Sequence, residues 1–511
     1  MNKENWSYFK STILSDKKLI IGSLLITVMA YGFAITNFSL GVDDPASVHY
    51  VHSNGWGSMV QQGRLVHIAL DWLTGLVEFI PFINDFIGTA LFWASSLAFC
   101  FLFQYITNKR FSTWACLAFS GIYLSYSIIN EKFIYNLDVI VFMLSYLCIA
   151  LSVFEAYQAI FEQKKRQTIW SILLCIVGIS SYESFIFLYV CAVLSIFVIK
   201  AATDREYHLK WKTVICKGLM FAAVLVAACA IYYLMVFIVQ MATGQTGFVR
   251  EGPWTKGLGI KETARLIFLN FKTYALNFQY FPMIVFWGSA ILGTVITAWI
   301  AVRRKSLLLL LCFLGMFVSN FFVHFIAGDF MYRAAQTCCF FVAVVGLLAV
   351  TLIERYGGIK RISYILVCLL VLLQVRDLNK WFYNDYIRYQ KEAFAVHAIA
   401  TSLKSSYDME KPVVFTNRPG ASYYLTTHTH EGQVNGASML RWGVGTFGEK
   451  ESLNMIEIFR LHGYDFLVTP TKEQAEEAWR IGKTMPAWPE KDSIKEMDSY
   501  IIVNFDKVQE G

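Results

Sequence analysis

Long apolar runs set the pattern of the chain. Runs of roughly the 20 residues an apolar helix needs to cross a bilayer fall near residues 20–39, 84–106, 111–129, 133–155, 214–240, 280–301, 306–326, 336–353 and 361–375. Between Trp170 and Lys200, the apolar runs IWSILLCIVGIS and FIFLYVCAVLSIFVI flank the polar tetrad SYES. Basic residues lie at both ends: Lys164, Lys165 and Arg166 before, then Lys200, Arg205, Lys210 and Lys212 after. The positive-inside rule wants both ends in the cytoplasm, so this stretch crosses twice with SYES at an outer turn. The pattern predicts about eleven transmembrane helices, an N-terminus inside and a C-terminus outside. Loops then placed in the cytoplasm hold about 20 Lys and Arg, and outer loops before residue 376 about 8, the bias that rule requires. Lys3, Lys10, Lys17 and Lys18 precede the first run, which lacks a small-residue cleavage site and reads as a retained span.

The pattern changes twice. Residues 40–83 form a long outer loop in which GWGSMVQQGRLVHIALDWLTGLVEF has helical periodicity. Gln61, Arg64, His67, Asp71, Thr74 and Glu78 recur every three or four residues, while Val60, Leu65, Ile68, Leu70, Trp72 and Leu73 lie largely elsewhere on the wheel. Such a helix lies along the interface with Trp56 and Trp72 at headgroup depth. From Arg376 onward the chain is mixed polar and charged, with strand-like VVFT, FLVT and YIIVNF between helix-like SLNMIEIFRLHG and KEQAEEAWRIGK. This predicts a transmembrane domain over residues 1–375 and a small extracytoplasmic α/β domain over 376–511. A second outer loop, about residues 242–279, carries Trp254, Lys256, Lys261, Arg265 and Lys272, suited to a phosphate, an acidic glycan or lipid headgroups.

Composition agrees with a membrane protein. Of 511 residues 56% are hydrophobic and 16% charged, and the mean hydropathy is +0.48, where soluble domains usually lie below zero. The formal charge of +7 matters through its distribution and does not suggest nucleic acid. All 11 cysteines fall between Cys100 and Cys368, nearly all in apolar runs and without a CxxC pair. They read as packing residues, neither a disulfide framework nor a metal site. His67 and His324 have no HxxxH or His/Asp companions, so no tightly held metal is expected. A loosely bound Mg2+ or Mn2+ beside Asp43 and Asp44 stays open. The C-terminal part has no nucleotide-binding glycine pattern.

The chemistry concentrates in GVDDPASVHY, directly after the first span. A lipid-linked phosphate needs cationic donors such as Arg64, and a carboxylate beside it could deprotonate an attacking hydroxyl. Asp43 and Asp44 equally read as a helix-end turn, with Pro45 forbidding continuation. Asp138 lies within an apolar run, where an unpaired carboxylate is costly, so it is a functional candidate; an ion pair with Lys132 is the bland alternative. Arg333 follows Asp329 by four residues, which allows a simple helical ion pair.

These residues resemble a family. DDPASVHYVHSNGWGSMVQQGR is similar to the start of the serotype-converting O-antigen glucosyltransferases of the Gtr type, within the wider GT-C glycosyltransferases. SYSIINEKFIYNLDVIVFMLSYLCIAL resembles that family's second signature, here Glu131 and Asp138. GISSYESFIFLY resembles a Tyr-Gln turn and GDFMYRAAQ an arginine before a later span, here Arg333. The resemblance runs over roughly residues 20–350, in order. Glu183 departs from the expected glutamine, and Leu65 from the usual aromatic after GR.

The resemblance implies a GT-C-like fold in the bacterial cytoplasmic membrane. It also implies a polyprenyl-phosphate hexose donor and transfer, with inversion, to a cell-surface polysaccharide or lipid-linked glycan on the outer face. Asp43 or Asp44 is then the catalytic base, and Arg64 and Arg333 hold the donor phosphate. Glu131, Asp138, Glu183 and Gln62 are candidates for sugar or acceptor binding. A flippase or transporter, or an outer-face polymerase or ligase using a polyprenyl-diphosphate glycan, are the rival readings. Oligomeric state stays open.

Overall fold

The computed structural model describes residues 3–42, 44–45, 57–74, 80–204, 209–247, 254, 257–328, 331–355, 359–417, 437–444 and 449–506. Contacts divide the chain into two compact units. The first comprises Met1–Thr36, Gly57–Phe133 and Asp138–Lys380; the second comprises Asn37–Trp56, Ile134–Leu137 and Trp381–Gly511. The expected boundary at Arg376 lies inside one continuous helix, Lys360–Ser406.

Among the described residues nine helices are long and apolar enough to cross a membrane: Lys17–Thr36, Pro81–Ile106, Val139–Phe161, Phe185–Thr203, Trp211–Thr243, Phe281–Arg304, Leu307–Ala327, Thr337–Glu354 and Lys360–Ser406. The chain is therefore a mostly helical, polytopic membrane protein. The other two expected spans are shorter helices, Thr113–Ser125 of 13 residues and Arg166–Ile179 of 14. At 1.5 Å per residue each covers only about 20 Å of a hydrocarbon core about 30 Å thick. The first is capped by Ser112, whose side chain accepts from the Ala115 amide, and ends where Tyr126 turns extended and its phenol donates to the Pro282 carbonyl. The second leads into a turn at Ser180–Ser184, where SYES was expected to reverse the chain.

Because lipid tails are as apolar as leucine, helices in a bilayer associate through close packing and hydrogen bonds between them. Three elements of the first unit meet in this way. Phe92 of Pro81–Ile106 lies 4.7 Å, ring to ring, from Tyr123 of Thr113–Ser125, and 5.1 Å from Tyr146 of Val139–Phe161. The Tyr123 hydroxyl is in turn 3.0 Å from Ser95 Oγ, so a buried polar group is matched.

The second unit carries a three-stranded sheet in the order β1-β3-β2, with β1 Val413–Thr416, β2 Ile494–Glu496 and β3 Ile501–Asn504. β1 runs parallel to β3, Val413 opposite Ile501, and β2 pairs antiparallel with β3. VVFT and the IIVN of YIIVNF are strands as expected; FLVT is not, and β2 was not foreseen. The helix Lys472–Gly482 packs Ala475 and Ala478 on Val414, Tyr500 and Ile502. Its start is a capping box: Thr471 accepts from the Gln474 amide and Gln474 accepts from the Thr471 amide.

Ile502 is fully buried on β3. Replacing it with alanine should destabilise the second unit by about 2–5 kcal/mol. Hydrogen exchange of Val413–Thr416 in the full-length protein should then quicken, with Val139–Phe161 exchanging as in wild type. Unchanged exchange at β1 would contradict this core.

Candidate functional site

The expected single amphipathic helix in the first long loop is instead two, Gly57–Gln61 and Leu65–Thr74. Gly63 makes the break. The Gly63 amide donates to the Val60 carbonyl and the Arg64 amide to the Met59 carbonyl, the paired bonds that close a helix on a left-handed residue. Gly63 has φ +71°, and a Cβ there would lie 2.6 Å from the Tyr232 hydroxyl, which itself donates to the Gly63 carbonyl at 3.1 Å. Only glycine suits both the backbone angle and the space.

The break brings Arg64 and His67, one turn apart, to one carboxylate. Arg64 Nη1 donates to Asp138 Oδ2 at 2.9 Å, and His67 Nε2 lies 2.9 Å from Asp138 Oδ1. Asp138 precedes the first residue of Val139–Phe161. Burial raises its pKa, but His67 and Arg64 outweigh burial and hold the carboxyl below the usual carboxylate range. The bland reading of Asp138 as the partner of Lys132 is corrected here: the ion pair is with Arg64.

Lys132 has a different setting. It is buried, with Nζ 4.1 Å from the centroid of Phe142 and 4.3 Å from that of Tyr182, a cation held between two ring faces. The Gln336 amide, turned as its neighbours require, accepts from Lys132 Nζ at 3.0 Å. Burial pushes the Lys132 pKa well down, and Arg333 and Arg64 push it further, against Asp138 and Glu131. Arg333 is half-buried in the short turn Tyr332–Ala334, and Glu131 is fully buried. Arg64, Arg333, Glu131 and Asp138 thus all lie near enough for Lys132 to feel their charges. Arg64 also lies over the Tyr182 ring at 5.9 Å.

Other expected residues stand apart or fall elsewhere. Glu183 is exposed, with Oε1 3.5 Å from Tyr232 Oη. Gln62 is exposed and donates to Ser58 Oγ at 3.0 Å. Asp43, Trp56, Glu78, Lys256 and Asp329 lie outside the described residues. Among the described residues no group of three His, Cys, Asp or Glu side chains is placed to hold a metal ion.

Asp44, in the second unit, is buried and held by N–H groups. Its Oδ2 accepts from the Gly41 amide at 2.7 Å and from Asn136 Nδ2 at 2.6 Å, and its Oδ1 accepts from the Asn136 amide at 3.1 Å. A Cβ on Gly41 would lie 2.1 Å from the Ile134 carbonyl oxygen, so the glycine of GVDD lets two backbones touch. This geometry makes Asp44 a clamp between residues 41 and 136.

Lys132, His67, Tyr182, Tyr232 and Gln336 were not expected as site residues. A lysine next to a glutamate in an apolar stretch was a signal for Lys132, since an unpartnered ammonium is as costly there as a carboxylate. His67 was visible three residues after Arg64 on the same helical face.

A family model described as Glucosyl transferase GtrII matches residues 32–353, well over half of the chain, in agreement with the Gtr-type resemblance of its motifs. No curated protein matches the chain. The matched region contains Asp43, Asp44, Arg64, Glu131, Lys132, Asp138, Glu183 and Arg333, and stops before the sheet.

Gly63→Ala should cost on the order of 1–3 kcal/mol through its left-handed backbone and its clash with Tyr232. The thermal midpoint of the solubilised protein should fall, and adding Tyr232→Phe should recover only the steric share. A Gly63→Ala protein as stable as wild type would rule out the strained turn. Because the Asp138 pKa is depressed on folding, its pairing stabilises the fold above pH ~4 and is lost as pH falls further. Asp138→Asn should flatten that acid limb of the stability profile.

Proposed function

The chain belongs to the glucosyl transferase GtrII family and is a membrane glycosyltransferase, and from that premise we propose that it moves a hexose, glucose, from a polyprenyl-phosphate donor to a surface glycan. The acceptor is a cell-surface polysaccharide such as O-antigen, or a lipid-linked glycan, on the outer face of the bacterial cytoplasmic membrane. The observation that carries this reading is the meeting of Arg64 and Lys132 at the Tyr182 ring, 5.9 and 4.3 Å from its centroid, two cationic donors of the kind a phosphate needs. A buried ammonium with two guanidiniums acting on it is an unfavourable arrangement by itself, and a phosphate would relieve it.

The roles we assign draw on the contacts within each unit and on the family resemblance. Arg64, oriented by Asp138 and His67, presents its guanidinium to donor phosphate oxygens, where a planar fork of donors binds best. Lys132 and Arg333 add charge to stabilise the phosphate as it leaves with the bonding electrons of the anomeric C–O bond. The acceptor hydroxyl attacks the anomeric carbon from the opposite side and gives its proton to a carboxylate, so a single displacement inverts the centre. Asp44 has N–H donors on both oxygens and serves as the clamp; Asp43, its neighbour, is the base. Glu183, with Tyr232, accepts from sugar hydroxyls. Asp138 and Glu131 act through the cations, not directly on the sugar.

The test is transfer of label from polyprenyl-phosphate glucose to envelope glycan in membranes, with identification of the released lipid. Asp43→Asn should lower kcat by about 10²–10⁴-fold with donor binding retained. Lys132→Met should weaken donor binding roughly tenfold or more, the loss of one charge-assisted contact. Transfer unaffected by Asp43→Asn would remove the proposed base. Release of polyprenyl diphosphate would instead assign a polymerase or ligase, and lipid movement between leaflets without transfer a flippase.

A further inference from the structure

The second unit holds a group of buried charges that the proposed reaction does not use. Asp385, Arg388, Tyr389 and Glu392 lie at i, i+3, i+4 and i+7 on Lys360–Ser406, and so share one helix face. Arg388 is fully buried. Its Nε and Nη2 donate to Asp385 Oδ1 at 3.1 and 2.9 Å, and its Nη1 donates to Glu392 Oε2 at 2.5 Å. Glu392 Oε1 accepts from Ser438 Oγ at 2.6 Å and from the Leu440 amide at 3.3 Å.

The remaining capacity of this face goes to the segment that leads into the two aspartates. Arg388 Nη2 also donates to the Leu40 carbonyl, Ser39 Oγ donates to Asp385 Oδ2 at 2.6 Å, and the Phe38 ring packs edge-on to Tyr389 at 5.0 Å. Three consecutive residues, 38, 39 and 40, are thus each fixed to one helix face, and Asp44 fixes the next turn to Asn136. A surface ion pair would need none of this. An arginine fully removed from water, with two carboxylates and a backbone carbonyl all arranged on it, is a rigid anchor.

We propose that Arg388, set by Asp385 and Glu392, is a positioning residue for glycosyl transfer: it fixes Phe38–Leu40, the segment that leads into Asp43 and Asp44. The proposal rests on the assignment of Asp43 as base. It gives a catalytic part to a helix that lies beyond residues 32–353, the stretch matched by the family model. Arg388 touches no substrate in this account. It acts through the backbone, so its loss appears in turnover and not in donor affinity.

Two variants of the full-length protein test it, each by hydrogen exchange and by steady-state transfer. Ser39→Ala removes one tie and leaves the Arg388 charges paired. Arg388→Lys keeps the charge but has no fork to reach Asp385, Glu392 and Leu40 together. Both should raise exchange in peptides covering residues 38–45 by at least about tenfold, with β3 exchanging as in wild type. kcat should fall roughly tenfold in Ser39→Ala and about a hundredfold in Arg388→Lys, with the donor KM within about twofold, as for a misplaced reacting group. A loosened segment with wild-type kcat, or an unchanged segment in folded Arg388→Lys, would overturn the proposal. If Arg388→Lys does not fold, Ser39→Ala decides by the same two readings. If wild type itself transfers nothing from polyprenyl-phosphate glucose, the reading of the reaction fails. Exchange then still decides whether the anchor exists.

Discussion

Charge removed from water has to be answered on the spot, and in this protein that requirement fixes more geometry than any other interaction. The nine apolar helices among the described residues leave few places for a charged side chain. The carboxylate of Asp138 takes Arg64 on one oxygen and His67 on the other. To bring them there the chain has to break its surface helix at Gly63, and the break needs a glycine because Tyr232 occupies the space of a side chain. One buried carboxylate thus dictates a backbone turn, a glycine and the register of Leu65–Thr74. Arg388 repeats the logic in the second unit, where one guanidinium fixes Leu40, Asp385 and Glu392.

The two clusters differ in how their cations are partnered. Arg388 places four of its five N–H donors on two carboxylates and a carbonyl. Lys132 is held differently, by two aromatic faces and one amide oxygen, with Arg64 over the same Tyr182 ring. On the proposed reading a donor phosphate answers these cations.

Hydropathy made the helical spans legible, because each needs only a count of apolar residues. Two runs that looked like spans became short helices, since composition does not record where Tyr126 turns extended to reach Pro282. β1 and β3 were visible as dense apolar runs. FLVT has the same look but pairs with no strand among the described residues, while β2, Ile494–Glu496, pairs with β3 despite a polar sequence. Pairing depends on partners remote in sequence, and local pattern carries it poorly. Of the site, Arg64, Asp138 and Arg333 were visible as single charges near apolar runs. The bland alternative paired Asp138 with Lys132 because they are near in sequence, whereas its partner Arg64 is 74 residues away.

Asp385, Arg388 and Glu392 escaped notice for a related reason: at i, i+3 and i+7 they look like the exposed pairs that stud any polar helix. The cue lay in their neighbours. Trp381 and Tyr389 lie one turn before Asp385 and one turn after it, so this face is apolar apart from its charges. An apolar face with three charges is a buried network and not a solvated one. The second unit also draws on three stretches of chain, residues 37–56, 134–137 and 381–511. Two of these stretches, residues 37–56 and 134–137, come from the first 375 residues of the chain. Cutting the chain at the composition change would take Asp385 and Arg388 from Ser39 and Leu40 and leave the segment before the aspartates without its anchor. The polar C-terminal part thus holds Phe38, Ser39 and Leu40, directly before GVDD, although the family model ends far short of it.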